Sequence, residues 1–139
     1  MTRFVLDASV ALAWFLDNPV PAYAIRAKAA LLKGGKGVVP ALWHLEMANG
    51  LIVAERRKLI TASDAWIALS SLEQIVLQVL EVHGDPVPIR EAFTTARSFT
   101  LSAYDGIYLD LARAEKIPLA SLDKSLRNAA TKAGIELFP

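Results

Sequence analysis

The sequence predicts an α/β chain: a three-layer α/β/α sandwich around a mainly parallel sheet of four to five strands. Two observations carry this. Short β-type runs alternate with longer helical patterns from one end of the chain to the other, the signature of strands joined by helical crossovers. The 139 residues make one ordinary domain, residues 1–139, with no Gly/Ser or Pro-rich linker, internal repeat or low-complexity tract to divide it.

The elements follow in order. Phe4 to Leu6 reads as the first strand, and "ASVALAWFL" continues it into an apolar helix. Pro21 to Leu32, rich in Ala with Arg26 and Lys28 interspersed, reads as a second helix that stops at Gly34-Gly35. "GVVP" is short, β-branched and closed by Pro40, hence a second, buried strand. "ALWHLEMANGLIVAERRK" is a long helix whose last turn holds Arg56, Arg57 and Lys58, where cations complement the helix dipole. Thr61 and Asp64 form an [ST]-x-x-[DE] start signal for a helix to about Leu72. "IVLQVLEV" reads as a third strand, Pro88–Phe99 and Tyr104–Lys116 as helices, "IPLAS" as a fourth strand, Lys124–Ala133 as a helix and "IELF" as a terminal strand.

Composition narrows the function. More than half the residues are apolar, yet no apolar run approaches the ~20 residues of a membrane span. Arg3 precedes a short apolar run that meets Asp7 almost at once, so neither a signal nor a transit peptide is expected and a cytoplasmic location is the default. The absence of cysteine removes disulfides, thiolate zinc sites and a Cys nucleophile. His44 and His83 are far apart and unpatterned, so no histidine-based metal site is expected. A formal charge of +1 lacks the strong basic field of a general nucleic-acid binder.

Four carboxylates carry the chemistry. Asp7 and Asp123 directly follow the first and fourth strand candidates, which places both at the carboxyl edge of the sheet, where open α/β folds bind ligands. Taken singly, each reads as a helix N-cap. Asp105 closes an [ST]-x-x-[DE] pattern in "SAYD" and has the same capping alternative. Glu46 shares a helix face with Leu42, Asn49 and Val53, a polar pair interrupting an apolar stripe, and Glu is seldom buried without a partner. The alternative is that Glu46 is exposed on the helix's least buried face. As a set, two strand ends and two helices can direct all four acids into one cleft. Carboxylates so clustered repel, and a divalent ion removes that cost. Oxygen ligands without His or Cys select Mg²⁺ or Mn²⁺, and carboxylates around a hydrated ion suit phosphodiester hydrolysis.

"VLDASVALAWFL", "PALWHLEMANGL" and "LSAYDGIYLDLARAEKIPLASLD", in this order and spacing, make the chain resemble PIN-domain ribonucleases, most closely the VapC toxins of VapBC toxin–antitoxin pairs. The resemblance covers nearly the whole length. It implies a PIN-like fold and metal-dependent endonucleolytic hydrolysis of RNA that leaves a 3′-hydroxyl and a 5′-phosphate. Asp7, Glu46, Asp105 and Asp123 match the family's acidic quartet for one or two Mg²⁺ or Mn²⁺ ions. Ser9, Asn49 and Ser121 match residues expected to hold waters, phosphate oxygens or the carboxylates in place. Tyr104 and Tyr108 match a "YDxxY" stretch, with packing as their expected role and contact with a base as the alternative. A homodimer and a cognate VapB-type antitoxin that blocks the acidic cleft are implied as partners.

Two positions depart from the family pattern. Gly106 occupies the first turn of its helix, and Asp110 is an acid where an apolar residue is usual. Asp110 is rotated about 140° from Asp105 at ~100° per residue and is expected to face solvent and pair with Arg113. Lys124 and Arg127, just after Asp123, are candidate contacts to the RNA backbone, which would position RNA without reading its sequence. Trp14, Phe15, Trp43 and Trp66 are expected in the core, with partner contact as the alternative. Two other functions remain open from the residues alone: a PIN-fold binding module without catalysis, and a phosphoacceptor receiver domain. The latter lacks an Asp immediately after the third strand and a Lys after a later one.

Overall fold

The computed structural model describes residues 2–74 and 76–139. Four parallel strands, β1 (Arg3–Leu6), β2 (Lys36–Pro40), β3 (Leu80–His83) and β4 (Leu119–Ala120), form one sheet in the order β3-β2-β1-β4. The helices are α1 (Ala8–Leu16), α2 (Ala22–Leu32), α3 (Leu42–Arg56), α4 (Ala62–Gln74), α5 (Ile89–Phe99), α6 (Ala103–Glu115) and α7 (Lys124–Lys132). Among the described residues, no helix is long and apolar enough to cross a membrane.

Phe4, Val5, Leu6, Val38 and Val39 are all fully buried. Successive strand residues point to opposite faces, so both faces of the sheet are covered. The chain steps outward in one direction from β1 to β2 to β3 and then returns past β1 to β4. Right-handed crossovers therefore put α1–α4 on one face and α5–α6 on the other. The switch in direction falls between β1 and β4, where open sheets of this kind leave a crevice at the carboxyl ends of the strands. The Asp7 backbone N–H donates to the Ala120 carbonyl at 3.0 Å and carries the pairing to that edge.

Three expectations are corrected. The run at 75–82 is not one strand: Ile75 lies outside the described residues, Val76–Val79 is a 3₁₀ turn, and β3 begins at Leu80. β3 pairs with β2 from Gly37↔Leu80 to Pro40↔His83, and the residues just before it are taken up by the 3₁₀ turn. "IELF" makes a single bridge, Leu137 opposite Leu119, because β4 offers it only two residues. Asp110 does not face solvent: α5 covers that side of α6, Thr95 Oγ1 donates to Asp110 Oδ1 at 2.7 Å, and the Arg113 guanidinium lies over the Phe99 ring instead. Burial, first, raises the Asp110 carboxyl above its usual range, against the lowering effect of the Thr95 bond.

The aromatic residues divide. Trp43 is core, Trp14 is half-buried with its indole N–H donating to the Ala24 carbonyl, and Phe15 is half-buried against the same core. Trp66 is 70% exposed, outside the core in which it was expected.

Candidate active site

The four acids reach one open cleft of about 330 Å³, lined by Asp7, Ser9, Glu46, Asn49, Asp105 and Asp123 together with Ala8, Leu12 and Gly50. Each is delivered by a different terminus or helix. Asp7 leaves the end of β1 and Asp123 the end of β4, whereas Glu46 projects from α3 and Asp105 from the first turn of α6. At Gly50 a Cβ would stand 2.6 Å from the Leu12 side chain, so glycine lets α1 and α3 cross closely with Leu12 in its present place.

The capping alternative separates the acids. Asp123 is a true N-cap, its Oδ2 accepting from the Leu126 N–H at 2.8 Å. Asp7 occupies the N-cap position of α1 but makes no capping bond with its side chain. Asp105 is intermediate, and Asp64 shows the difference. Thr61 and Asp64 exchange both bonds of a capping box, each 3.0 Å. At α6 the Ser102 hydroxyl accepts from the Asp105 N–H at 3.1 Å, but the Asp105 carboxylate returns no such bond and lines the cleft.

Asp7 is buried, and its charge is met by neutral donors. Ser9 Oγ donates to Oδ2 at 2.6 Å, and Ser121 Oγ donates to the same oxygen at 2.7 Å. Each hydroxyl in turn accepts a backbone N–H from the turn after β4, Leu122 onto Ser9 and Asp123 onto Ser121, both at 3.0 Å. Chains of this kind polarise one another in a low-dielectric interior. Burial nevertheless raises the Asp7 carboxyl, opposed by the two serine bonds and reinforced by Asp105 and Asp123. Glu46 is likewise raised by burial, opposed by a 2.5 Å bond from the Tyr108 hydroxyl to Oε1 and reinforced by Asp7 and Asp105. Asp105 is raised by burial and then by Asp123, against the lowering effect of the nearby Ser102 hydroxyl. Among the described residues none of the four acids is ion-paired with a Lys, Arg or His. Three carboxyls raised by burial and by their acidic neighbours, with only oxygen donors present, fit a small divalent cation.

The structure brings together every acid expected from the sequence, with Ser9 and Asn49 on the cleft wall and Ser121 buried behind Asp7. Lys124 is exposed at the start of α7. Arg127 braces the turn before it, donating to the Ser121 carbonyl at 2.9 Å with its guanidinium over the Tyr23 ring. Tyr104 is exposed on the adjoining wall, whereas Tyr108 is fully buried and bonded to Glu46. Packing was the expected role of both tyrosines; Tyr108 is buried accordingly, whereas Tyr104 stands outside the core because its side of the first turn of α6 faces the open cleft wall. The signal that could have found the partner of Tyr108 is the i, i+3 spacing from Asp105, which puts both on one face of α6.

A second acidic cluster lies away from this cleft. Glu81, His83 and Glu115 place potential ligand atoms within 4.8 Å of one another, so His83 does have carboxylate neighbours. Arg3 takes those oxygens: it donates to both oxygens of Glu81 at 3.1 and 2.7 Å and approaches Glu115 at 3.6 Å.

Comparison with known proteins agrees with this architecture. No curated protein matches the chain at a significant level. Three solved structures share the fold: PAE2754 from Pyrobaculum aerophilum (23% identity, 92% of this chain and 79% of that one, TM-score 0.68), FitAcB from Neisseria gonorrhoeae (18%, 100% and 97%, TM-score 0.68), and a domain of a functionally unknown protein from Methanocaldococcus jannaschii (16%, 99% and 90%, TM-score 0.60). The PIN domain model matches residues 4–132, which include all four acids of the cleft, and the chain belongs to the PIN domain family.

Proposed function

We propose that this protein is a Mg²⁺- or Mn²⁺-dependent endoribonuclease of the VapC toxin type, restrained by a cognate VapB-type antitoxin. One observation carries the reading: Asp7, Glu46, Asp105 and Asp123 line a single cleft, and their charge is met there by hydroxyls and backbone N–H groups rather than by a basic side chain. PIN domains are generally nucleases, which supports it and sets the receiver-domain alternative aside. The four acids would hold the cation. When bound, the ion supplies charge neutralisation for a phosphodiester and makes a water acidic enough to serve as nucleophile.

The chain's own residues do the rest. Ser9 and Ser121 hold Asp7 in one orientation, Tyr108 holds Glu46, and the Leu126 N–H holds Asp123, so the carboxylates are fixed before substrate arrives. Asn49 offers an amide on the cleft wall for a phosphate oxygen or a water. Lys124, and the donors left free on Arg127, would meet the RNA backbone beside Asp123. Exposed apolar side chains, among them Leu45, Trp66, Ile67 and Phe93, leave surface for a homodimer contact and for an antitoxin.

The test is incubation of the purified chain with total bacterial RNA in Mg²⁺, Mn²⁺ or EDTA, with Asp7→Asn in parallel, mapping new 5′ ends. Discrete ends bearing 5′-phosphate, seen only with metal and reduced at least about 100-fold in Asp7→Asn, are expected. Products ending in 2′,3′-cyclic phosphate would overturn the hydrolytic scheme. No cleavage under any condition would favour a binding module on this fold.

A further inference from the structure

Tyr108 is fully buried on α6, one helical turn beyond Asp105. Its hydroxyl spans the carboxyl edge of the sheet to reach α3 and donates to Glu46 Oε1 at 2.5 Å, a distance typical of a charge-assisted O–H···O⁻ bond. Glu46 lines the cleft, and among the described hydrogen bonds none falls on its Oε2. Asp7 repeats the arrangement with different chemistry, because both serine hydroxyls converge on Oδ2 and leave Oδ1. Asp123 repeats it again, with Oδ2 taken by the Leu126 N–H. In three of the four acids, therefore, one oxygen is committed to a donor from the protein and the other is not.

We propose that Tyr108 is a positioning residue of the acidic cleft: its hydroxyl commits Glu46 Oε1 and holds the carboxylate so that only Oε2 is offered to a divalent cation. This rests on the metal-dependent reading above. The consequence is selectivity. Ca²⁺ accepts bidentate carboxylates in flexible, larger shells, whereas Mg²⁺ demands a small, near-octahedral one with single oxygens. A Glu46 freed from Tyr108 is able to turn both oxygens inward, so loss of the phenol weakens the small-ion site and relaxes its preference against Ca²⁺. A tyrosine that served only to fill the core would affect neither property, since Phe occupies nearly the same volume.

The experiment is Mn²⁺ binding to the intact chain, read by electron paramagnetic resonance of the free ion, with competition by Mg²⁺ and by Ca²⁺. It compares the parent, Tyr108→Phe, Glu46→Gln and the double variant, each checked for fold by circular dichroism. Tyr108→Phe is expected to lose roughly 10- to 100-fold in Mn²⁺ affinity, the usual cost of removing a group that orients a ligand, and to narrow the ratio of Mg²⁺ to Ca²⁺ affinity. In the Glu46→Gln background the same exchange should change Mn²⁺ affinity no further. That comparison also serves if Tyr108→Phe folds poorly, because it removes the carboxylate that has lost its donor. Parental affinity and parental ion preference in a folded Tyr108→Phe would overturn the positioning role while leaving the metal reading intact. A parent chain that binds no Mn²⁺ would overturn both.

Discussion

Two acidic clusters in this molecule are built on opposite electrostatic terms. At the outer strand, Glu81 and Glu115 meet Arg3 and His83, and the Arg3 guanidinium, first, holds the Glu81 carboxyl below its usual range. In the cleft, Asp7, Glu46 and Asp105 meet hydroxyls and acidic neighbours, and burial pushes all three above theirs. The first cluster meets its carboxylates with a basic side chain of the protein itself, Arg3. The second is hydrogen-bonded but not neutralised, the condition expected of a site completed from outside. Among the described residues, the first cluster is the one that sets three potential ligand atoms within 4.8 Å of one another. The two differ in what meets the carboxylates: a guanidinium in the first, hydroxyls and a backbone N–H in the second.

The largest expected effect comes from breaking the hydroxyl network. Ser121 is fully buried; its Oγ donates to Asp7 and accepts from the Asp123 N–H. Ser121→Ala removes a donor from a buried carboxylate and leaves a backbone N–H without its acceptor. A loss of about 1.5–3 kcal/mol is expected, the range for hydrogen bonds to charged groups. Urea denaturation in EDTA measures it. A change below about 0.5 kcal/mol would mean that water replaces the serine and that the network is not what holds Asp7.

The pH dependence of stability distinguishes the clusters by sign. The cleft carboxyls have folded values raised above the unfolded ones, so their contribution is fully present below the ordinary carboxylate value of about 4 and is lost as pH rises through the raised values. Glu81 runs the other way, contributing above its ordinary value and losing that contribution as pH falls through its depressed one. In EDTA, the melting temperature should therefore gain from the cleft on acidification from neutral into the range just above pH 4. Asp7→Asn should flatten that rise, and Mg²⁺ should reverse it by favouring the ionised acids. Arg3→Ala should leave the rise intact and cost under about 1 kcal/mol at neutral pH, since Arg3 and Glu81 are each about a third or more exposed. Equal slopes in parent and Asp7→Asn would remove the contrast between the clusters.

The sequence carried the acids of the cleft better than it carried their surroundings. Asp7 and Asp123 were legible because a carboxylate directly after a buried strand has few places to go, and Glu46 because it breaks an apolar helical stripe. The outer cluster was not legible: Arg3, Glu81, His83 and Glu115 come from distant parts of the chain and meet only through the β3-β2-β1 pairing and the end of α6. Tyr108 was half legible, since its place on a buried face follows from spacing but its hydrogen bond depends on where α3 lies. The terminal strand was limited by the length of its partner, a property of the sheet rather than of the segment, and β3 by the 3₁₀ turn that precedes it. Asp110 was misread because helix geometry gives its angle from Asp105 but not that α5 covers that angle.

Gly106 offers the smallest test, and it bears on the helix that links the two clusters. α6 carries Asp105 at the cleft and Glu115 at the outer cluster, and Gly106 sits in its first turn against Thr95 of α5. Glycine at a helical position costs roughly 0.5–1 kcal/mol relative to alanine because it has more backbone freedom to lose. A Cβ at 106 would lie 3.5 Å from Thr95 Cγ2, an ordinary contact, so the space for alanine exists. Gly106→Ala should then stabilise the chain by up to about 1 kcal/mol in urea, with cleavage in Mg²⁺ unchanged within about twofold. Stabilisation accompanied by lost cleavage would mean that the cleft end of α6 has to flex for Asp105 to act. The outer end, tied by Arg3 and His83, would then be more rigid than the cleft end, and the two clusters would differ in mobility as well as in charge.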